Sequence, residues 1–203
     1  MGEGEGGLKV KRICVFCGSS PGGNPAYMEA ASVVGELIAQ RGLGLVYGGA
    51  CVGMMGAVAD AALSRGAEVI GVIPDALLSK EVAHAGLTEM RIVRTMHERK
   101  ALMSQLADGF LALPGGCGTF DELFEVITWA QIGIHNKPCA LLNVSGYYDP
   151  LISLFEHAVA ERFVRPEHQT LLLRDTDPVR LLNAMQNYEP LTSVEKWMDK
   201  RGI

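Results

Sequence analysis

Gly109-Phe110-Leu111-Ala112-Leu113-Pro114-Gly115-Gly116-Cys117-Gly118-Thr119-Phe120-Asp121-Glu122 sets an apolar run against a glycine turn and the start of an amphipathic helical pattern that continues to Ile132. The run Gly109 to Leu113 is continuously apolar rather than alternating, which predicts a strand covered on both faces. Glycines in the turn let successive N–H groups face one concavity, and the positive end of the following helix dipole adds to the attraction for an anion. A phosphate is the guest such a turn suits. Glu122 complicates that picture, because a carboxylate beside an anion site is unfavourable unless it acts on another part of the ligand. A phosphorylated sugar resolves the tension.

Working outward, the same strand–turn–helix unit recurs along the chain. Strands are predicted at Arg12 to Cys17, Gly44 to Tyr47, Glu68 to Ile73, Met90 to Val93, Pro138 to Asn143 and Thr170 to Leu173. Helices are predicted at Ala26 to Gln40, Met54 to Ser64, Met96 to Leu106, Phe120 to Ile132, Tyr148 to Glu161 and Pro178 to Gln186. This alternation requires crossover helices between parallel strands. The fold class is therefore α/β: a Rossmann-like, doubly wound, mostly parallel sheet with helices on both faces. Residues 11–203 read as one nucleotide-binding catalytic domain, preceded by a tail over residues 1–10 expected to be disordered. In such a sheet ligands bind beyond the carboxyl ends of the strands. Three glycine loops fall there: Gly18-Ser19-Ser20, Gly48-Gly49 through Met54-Met55-Gly56, and Pro114 to Glu122.

Composition narrows the function classes. With 203 residues, 48% hydrophobic, the chain can bury a substantial core, and its net charge of -5 disfavours a sequence-independent grip on a nucleic acid polymer. No apolar run spans a bilayer and the Gly- and Glu-rich start lacks a signal peptide's apolar centre, so the expectation is a cytoplasmic protein without a membrane partner. Five scattered cysteines suit a reducing compartment. Cys14 and Cys17 match C-x-x-C, but odd spacing on a strand sends their sulfurs to opposite faces. Neither the cysteines nor the five histidines show metal-ligand spacing, so no metal and no cofactor is expected.

Two nucleotide fingerprints fail here. Gly48 to Gly53 has the spacing of a P-loop, but Met54 and Met55 stand where Lys and Ser/Thr are required. The first loop lacks G-x-G-x-x-G, and no acid ends the second strand to hold an adenosine ribose. Thr119-Phe120-Asp121-Glu122 also has the form of a capping box, which would make Glu122 structural. A second box, Thr95-x-x-Glu98, opens another helix and leaves Arg99 and Lys100 over. Two cations near a helix N-terminus are disfavoured by the dipole unless an anion or carboxylate faces them; a solvated charge pair is the alternative.

Met96-His97-Glu98-Arg99-Lys100, followed by Pro114-Gly115-Gly116-Cys117-Gly118-Thr119-Phe120-Asp121-Glu122, resembles the paired motifs M-H-x-R-K and P-G-G-x-G-T-x-x-E of the LOG ("Lonely Guy") family. Those proteins are cytokinin riboside 5′-monophosphate phosphoribohydrolases, and the resemblance extends over almost the whole chain. Related sequences have carried the label lysine decarboxylase, but nothing in the sequence resembles a pyridoxal phosphate site. The resemblance implies hydrolysis of the N-glycosidic bond of N6-substituted adenosine 5′-monophosphates, and of AMP, with Arg99 and Glu122 catalytic. It further implies substrate contacts at Ser19, Gly48, Gly49, Glu81, Met96, Lys100, Gly115, Gly116, Cys117, Gly118, Thr119, Phe120, Asp121 and Thr128, and a homodimer. Thr128 could instead bond its own helix's carbonyls, and Glu81 sits in a polar loop. Met54, Met96 and Met103 are candidates for an adaptable apolar cleft, with core packing as the alternative. A non-catalytic nucleotide or molybdenum-cofactor carrier of similar fold is the competing function.

Overall fold

In a computed structural model, which describes residues 10–78 and 83–190, seven strands form one parallel sheet in the order β4-β3-β2-β1-β5-β6-β7. The strands are β1 (Arg12–Phe16), β2 (Gly44–Tyr47), β3 (Val69–Pro74), β4 (Glu89–Val93), β5 (Gly109–Ala112), β6 (Cys139–Leu142) and β7 (Leu172–Asp175). The helices are α1 (Pro25–Gln40), α2 (Gly53–Ser64), α3 (Met96–Leu106), α4 (Cys117–Gln131), α5 (Asp149–Ala160) and α6 (Pro178–Gln186). Every adjacent strand pair is parallel. The predicted doubly wound sheet is therefore present, and among the described strands it is wholly parallel.

The winding reverses between β1 and β5, which pair from Ile13↔Gly109 to Phe16↔Ala112. One core packs α1, α2 and α6 on one face, with Ile13, Val15, Leu45, Leu111 and Leu113 pointing into it. The other packs residues of α3 and α4 against Cys14, Phe16, Val46, Phe110 and Leu141. Successive residues of β1 and β5 divide between these cores, so both faces exclude water and the strands read as unbroken apolar runs. Cys14 belongs to one core and Cys17 to the other, as their spacing requires, and both are free thiols. Burial pushes both thiols well above their ordinary value.

Local signals explain several boundaries. Asn24 caps α1 by accepting from the Ala26 N–H at 3.0 Å, with Pro25 opening the helix. Asp177 caps α6 in the same way through Val179 and Arg180, ahead of Pro178. β7 begins two residues later than the predicted Thr170, because Pro166–Leu171 coils into a 3-10 segment before the strand starts. β4 is an edge strand with partly exposed residues rather than a buried run. The expected disordered tail lies outside the described residues, apart from Val10, which is buried.

Candidate active site

The turn after β5 is built by pinning its carbonyls. The Tyr148 hydroxyl donates to Leu113 O at 2.7 Å, the Gly18 N–H donates to Pro114 O at 3.0 Å, and the Tyr147 hydroxyl donates to Gly115 O. Three successive acceptors are thus held by groups from the loops after β1 and β6. The first intrahelical bond of α4 runs from Phe120 N–H to Gly116 O at 3.1 Å, so the amides of Cys117, Gly118 and Thr119 precede it and are available to an anion. Gly115 must lack a side chain, since a Cβ there would fall 2.2 Å from Thr119 Oγ1.

The capping-box reading of this helix is overturned. Gly116 is the N-cap without a side-chain bond, Thr119 is the third helical residue, and the first turn of α4 contains no acid. Helix α4 begins three residues before the predicted Phe120, since a glycine in extended conformation is enough to enter it. Glu122 therefore sits in the second turn, beyond capping reach, and is buried at 7% exposure. Its burial needs another explanation.

A second buried charge, Arg99, lies in the same region. In α3, Thr95 Oγ1 accepts from the Glu98 N–H at 3.1 Å, and Glu98 reaches back to the Arg94 N–H at 2.8 Å rather than to the cap's own amide. With the helix start satisfied, Arg99 extends under the carboxyl end of β2. It is only 3% exposed; its Nη2 donates to Gly48 O at 3.2 Å, Nη1 lies 3.8 Å from Met96 Sδ, and Nε is buried without a hydrogen-bond partner. A Cβ on Gly48 would fall 2.1 Å from Nη2, so glycine at this position is what admits the guanidinium. An unpaired buried donor on a cation costs more than a neutral one. Such a group persists where a ligand completes it.

Arg99 and Glu122 line one cavity of about 290 Å³, together with Ser19, Met96, Gly116, Cys117, Gly118, Thr119 and Asp121 from the sequence-derived set. Cys17, Gly18 and Met55 line it as well and were not among the expected contacts. Their signal was position alone: Cys17 and Gly18 follow the carboxyl end of β1, and Met55 lies in the first turn of α2, after β2. Gly115 lines an adjoining cavity of about 260 Å³ with Tyr27, Met54 and Tyr147, joined to the first through Gly18, Ser19 and Gly116. The three candidate cleft methionines separate: Met96 lines the first cavity, Met54 the second, and Met103 packs in the core.

Other expected contacts fall outside this cavity. Lys100 pairs with Asp121 and Glu125, each at 3.0 Å. Burial alone would lower its pKa, but the two carboxylates outweigh that and raise it. Phe120 packs edge-on against Tyr148 and borders an open groove shared with Thr128. The Thr128 hydroxyl donates to Phe124 O at 2.7 Å, the bond to its own helix that sequence left open. Gly49, at φ 83°, packs under Met90 and Ile73, while Gly48 meets Arg99. Glu81 lies outside the described residues. A larger hollow of about 600 Å³ lies at the amino ends of β1 and β2, where both acids already have partners: Glu68 pairs with Arg12, and Asp108 accepts from the amides of Lys11 and Arg12. Ligands of open α/β sheets bind at the other end. Among the described residues no group of three or more His, Cys, Asp or Glu side chains converges as a metal site, and no helix is long and apolar enough to cross a membrane.

Comparison with known proteins points the same way as the paired motifs. A family model described as "possible lysine decarboxylase" matches residues 55–185. A cytokinin riboside 5′-monophosphate phosphoribohydrolase of Rhodococcoides fascians is 54% identical over 157 residues, covering 77% of this chain and 79% of that protein. One from Arabidopsis thaliana is 47% identical over 182 residues, 90% of this chain and 84% of that protein. Among solved structures, a molybdenum cofactor carrier protein from Chlamydomonas reinhardtii superimposes with a TM-score of 0.67 at 19% identity, covering 87% of this chain and 96% of that one. At that identity the likeness establishes the fold alone.

Proposed function

The chain belongs to the LOG family of cytokinin riboside 5′-monophosphate phosphoribohydrolases, and from that premise we propose that it hydrolyses N6-substituted adenosine 5′-monophosphates, and AMP, to the free base and ribose 5-phosphate. The observation that carries this reading is a buried guanidinium and a buried carboxylate, Arg99 and Glu122, lining one cavity at the N-terminus of α4. An anion cradle without Glu122 would suit any phosphate. A cradle with it suits a phosphate joined to a group that becomes cationic during reaction.

Breaking the C1′–N9 bond leaves positive charge on the ribose ring and sends the bond's electrons to the purine. The amides of Cys117, Gly118 and Thr119 hold the 5′-phosphate, assisted by the dipole of a 15-residue helix. Glu122 then faces the sugar, stabilises the oxocarbenium-like transition state and takes a proton from the water that adds to C1′. Arg99, fixed by the Gly48 carbonyl, steadies the negative charge developing on the departing base. The base takes a proton from solvent as it leaves, while Glu122 returns to solvent the proton it took from the attacking water. Lys100 acts one step removed, by holding Asp121 at the rim. A low-dielectric cavity strengthens each of these interactions relative to water.

The homodimer implied by the resemblance is part of the proposal. Helix α5 packs Leu151 and Ile152 against the core without fully burying any of its residues, and Leu154 and Phe163 stand exposed on and just after it. A second copy covering that face accounts for their exposure.

The test is product identification. Purified protein is incubated with N6-isopentenyladenosine 5′-monophosphate, AMP and the unphosphorylated riboside, and the products are separated chromatographically. Free base and ribose 5-phosphate from the two monophosphates, with little from the riboside, is the expected result. Binding of the monophosphates without base release would favour the carrier function.

A further inference from the structure

The anion cradle contains a thiol that the proposed hydrolysis does not use. Cys117 is the first residue of α4, it is exposed, and it lines the cavity with Arg99 and Glu122. The other cysteines differ from it. Cys14, Cys17 and Cys139 are buried, and burial pushes the Cys139 thiol up to about 12. Cys51 is exposed but borders a shallow groove between α1 and α2. Cys117 alone among the described thiols combines exposure with a place in the cradle.

A second feature marks the same place as a seat for negative charge. Arg99 is only 3% exposed, lines this cavity, and carries an Nε with no hydrogen-bond partner. The leading residues of α4 line the same cavity. An anion formed on the Cys117 sulfur would meet the same donors as a phosphate.

We propose that Cys117 is an oxidative modification site, at which a peroxide blocks the anion cradle. The sulfur attacks one peroxide oxygen; an S–O bond forms, the O–O bond breaks, and hydroxide leaves and is protonated, giving a sulfenic acid with sulfur oxidised by two electrons and peroxide reduced by two. A thiol reductant reverses this step: it displaces water to form a mixed disulfide, and a second thiol releases Cys117 and a disulfide of the reductant. A second peroxide instead carries the sulfenic acid to a sulfinate, whose negative charge occupies the cradle irreversibly. The helix N-terminus favours both oxyanions as it favours phosphate.

The consequence for hydrolysis rests on the proposed function, but the modification itself does not. The test therefore has two readouts on the intact protein. Hydrogen peroxide is applied with a sulfenic-acid trap, and labelling at Cys117 and Cys51 is followed by peptide mass spectrometry, with and without inorganic phosphate. Labelling is expected severalfold faster at Cys117, and phosphate is expected to slow it there while leaving Cys51 unchanged. Equal labelling of the two residues, or no protection by phosphate, overturns the proposal whether or not the protein releases base.

In parallel, base release is measured after peroxide. Wild type and Cys51→Ser are expected to lose activity together and to regain it with dithiothreitol after brief exposure. Cys117→Ser is expected to keep its own starting rate under the same exposure, whatever that rate is. Peroxide inactivation of Cys117→Ser equal to that of wild type would contradict the blockade. Absence of base release in untreated wild type would instead count against the hydrolase reading, leaving the labelling result to decide the site.

Discussion

At the scale of single residues, what distinguishes this site is where two charges are buried and what makes room for them. Arg99 reaches its position because Gly48 has no side chain. Gly48→Ala is expected to displace the guanidinium and reduce kcat/KM by at least about tenfold, a loss of ~1.4 kcal/mol of transition-state stabilisation, and to lower the melting temperature through the lost buried contact. Steady-state kinetics beside a thermal melt separate the two effects, and unchanged kinetics would deny the Gly48 contact its role. Sequence named both Arg99 and Glu122, because each belongs to a motif with fixed spacing. It also offered Glu122 a capping role, which the early start of α4 removes. Cys17, Gly18 and Met55 were not singled out as contacts, although Gly18 and Met55 fall in two of the glycine segments placed at the strands' carboxyl ends, because nothing in an apolar or small side chain's type signals a ligand.

At the scale of elements, the anion turn depends on groups from loops distant in sequence. Tyr147 and Tyr148 brace Gly115 and Leu113 from the segment before α5, in edge-on contact with each other at 4.9 Å between ring centroids. Tyr147→Phe is expected to lower stability by about 1 kcal/mol through the lost hydrogen bond. It is also expected to raise KM more than it lowers kcat, because the loosened Gly115 carbonyl disturbs phosphate binding first. Thermal shift by inorganic phosphate, smaller in the variant than in wild type, is the direct readout; an equal shift would mean that the turn holds its shape unaided. The strand and helix succession was legible because hydrophobic runs and glycine turns alternate so regularly. Boundaries were less so where entry chemistry is silent, as at Gly116, or where a 3-10 segment delays a strand, as before β7. The bracing tyrosines could not be read at all, since their partners are main-chain carbonyls more than thirty positions away.

At the scale of the whole molecule, both cores lie against one parallel sheet, and its stability carries a pH signature outside the site. His135 packs against Phe110 at 5.2 Å, and burial, reinforced by the charge of Lys137, lowers its pKa from 6.5 to about 4. Because the folded value is depressed, the neutral ring's contribution is fully present above pH 6.5. It is lost as pH falls towards 4, where the unfolded chain binds the proton more readily, at up to ~1.4 kcal/mol per pH unit. His135→Gln is expected to flatten the fall in melting temperature between pH 6.5 and 4 relative to wild type, whereas parallel curves would remove His135 as a cause. Helix α4 links this fold to the proposed chemistry, with its N-terminus at the cavity and Glu122 one turn further in. The most direct measurement of that link is base release from N6-isopentenyladenosine 5′-monophosphate by wild type and Glu122→Gln, with binding of inorganic phosphate measured on both. The variant is expected to fold and bind phosphate, and to release base at least about a hundredfold more slowly. Full turnover by Glu122→Gln would contradict the assignment of Glu122 as the carboxylate that carries the reaction.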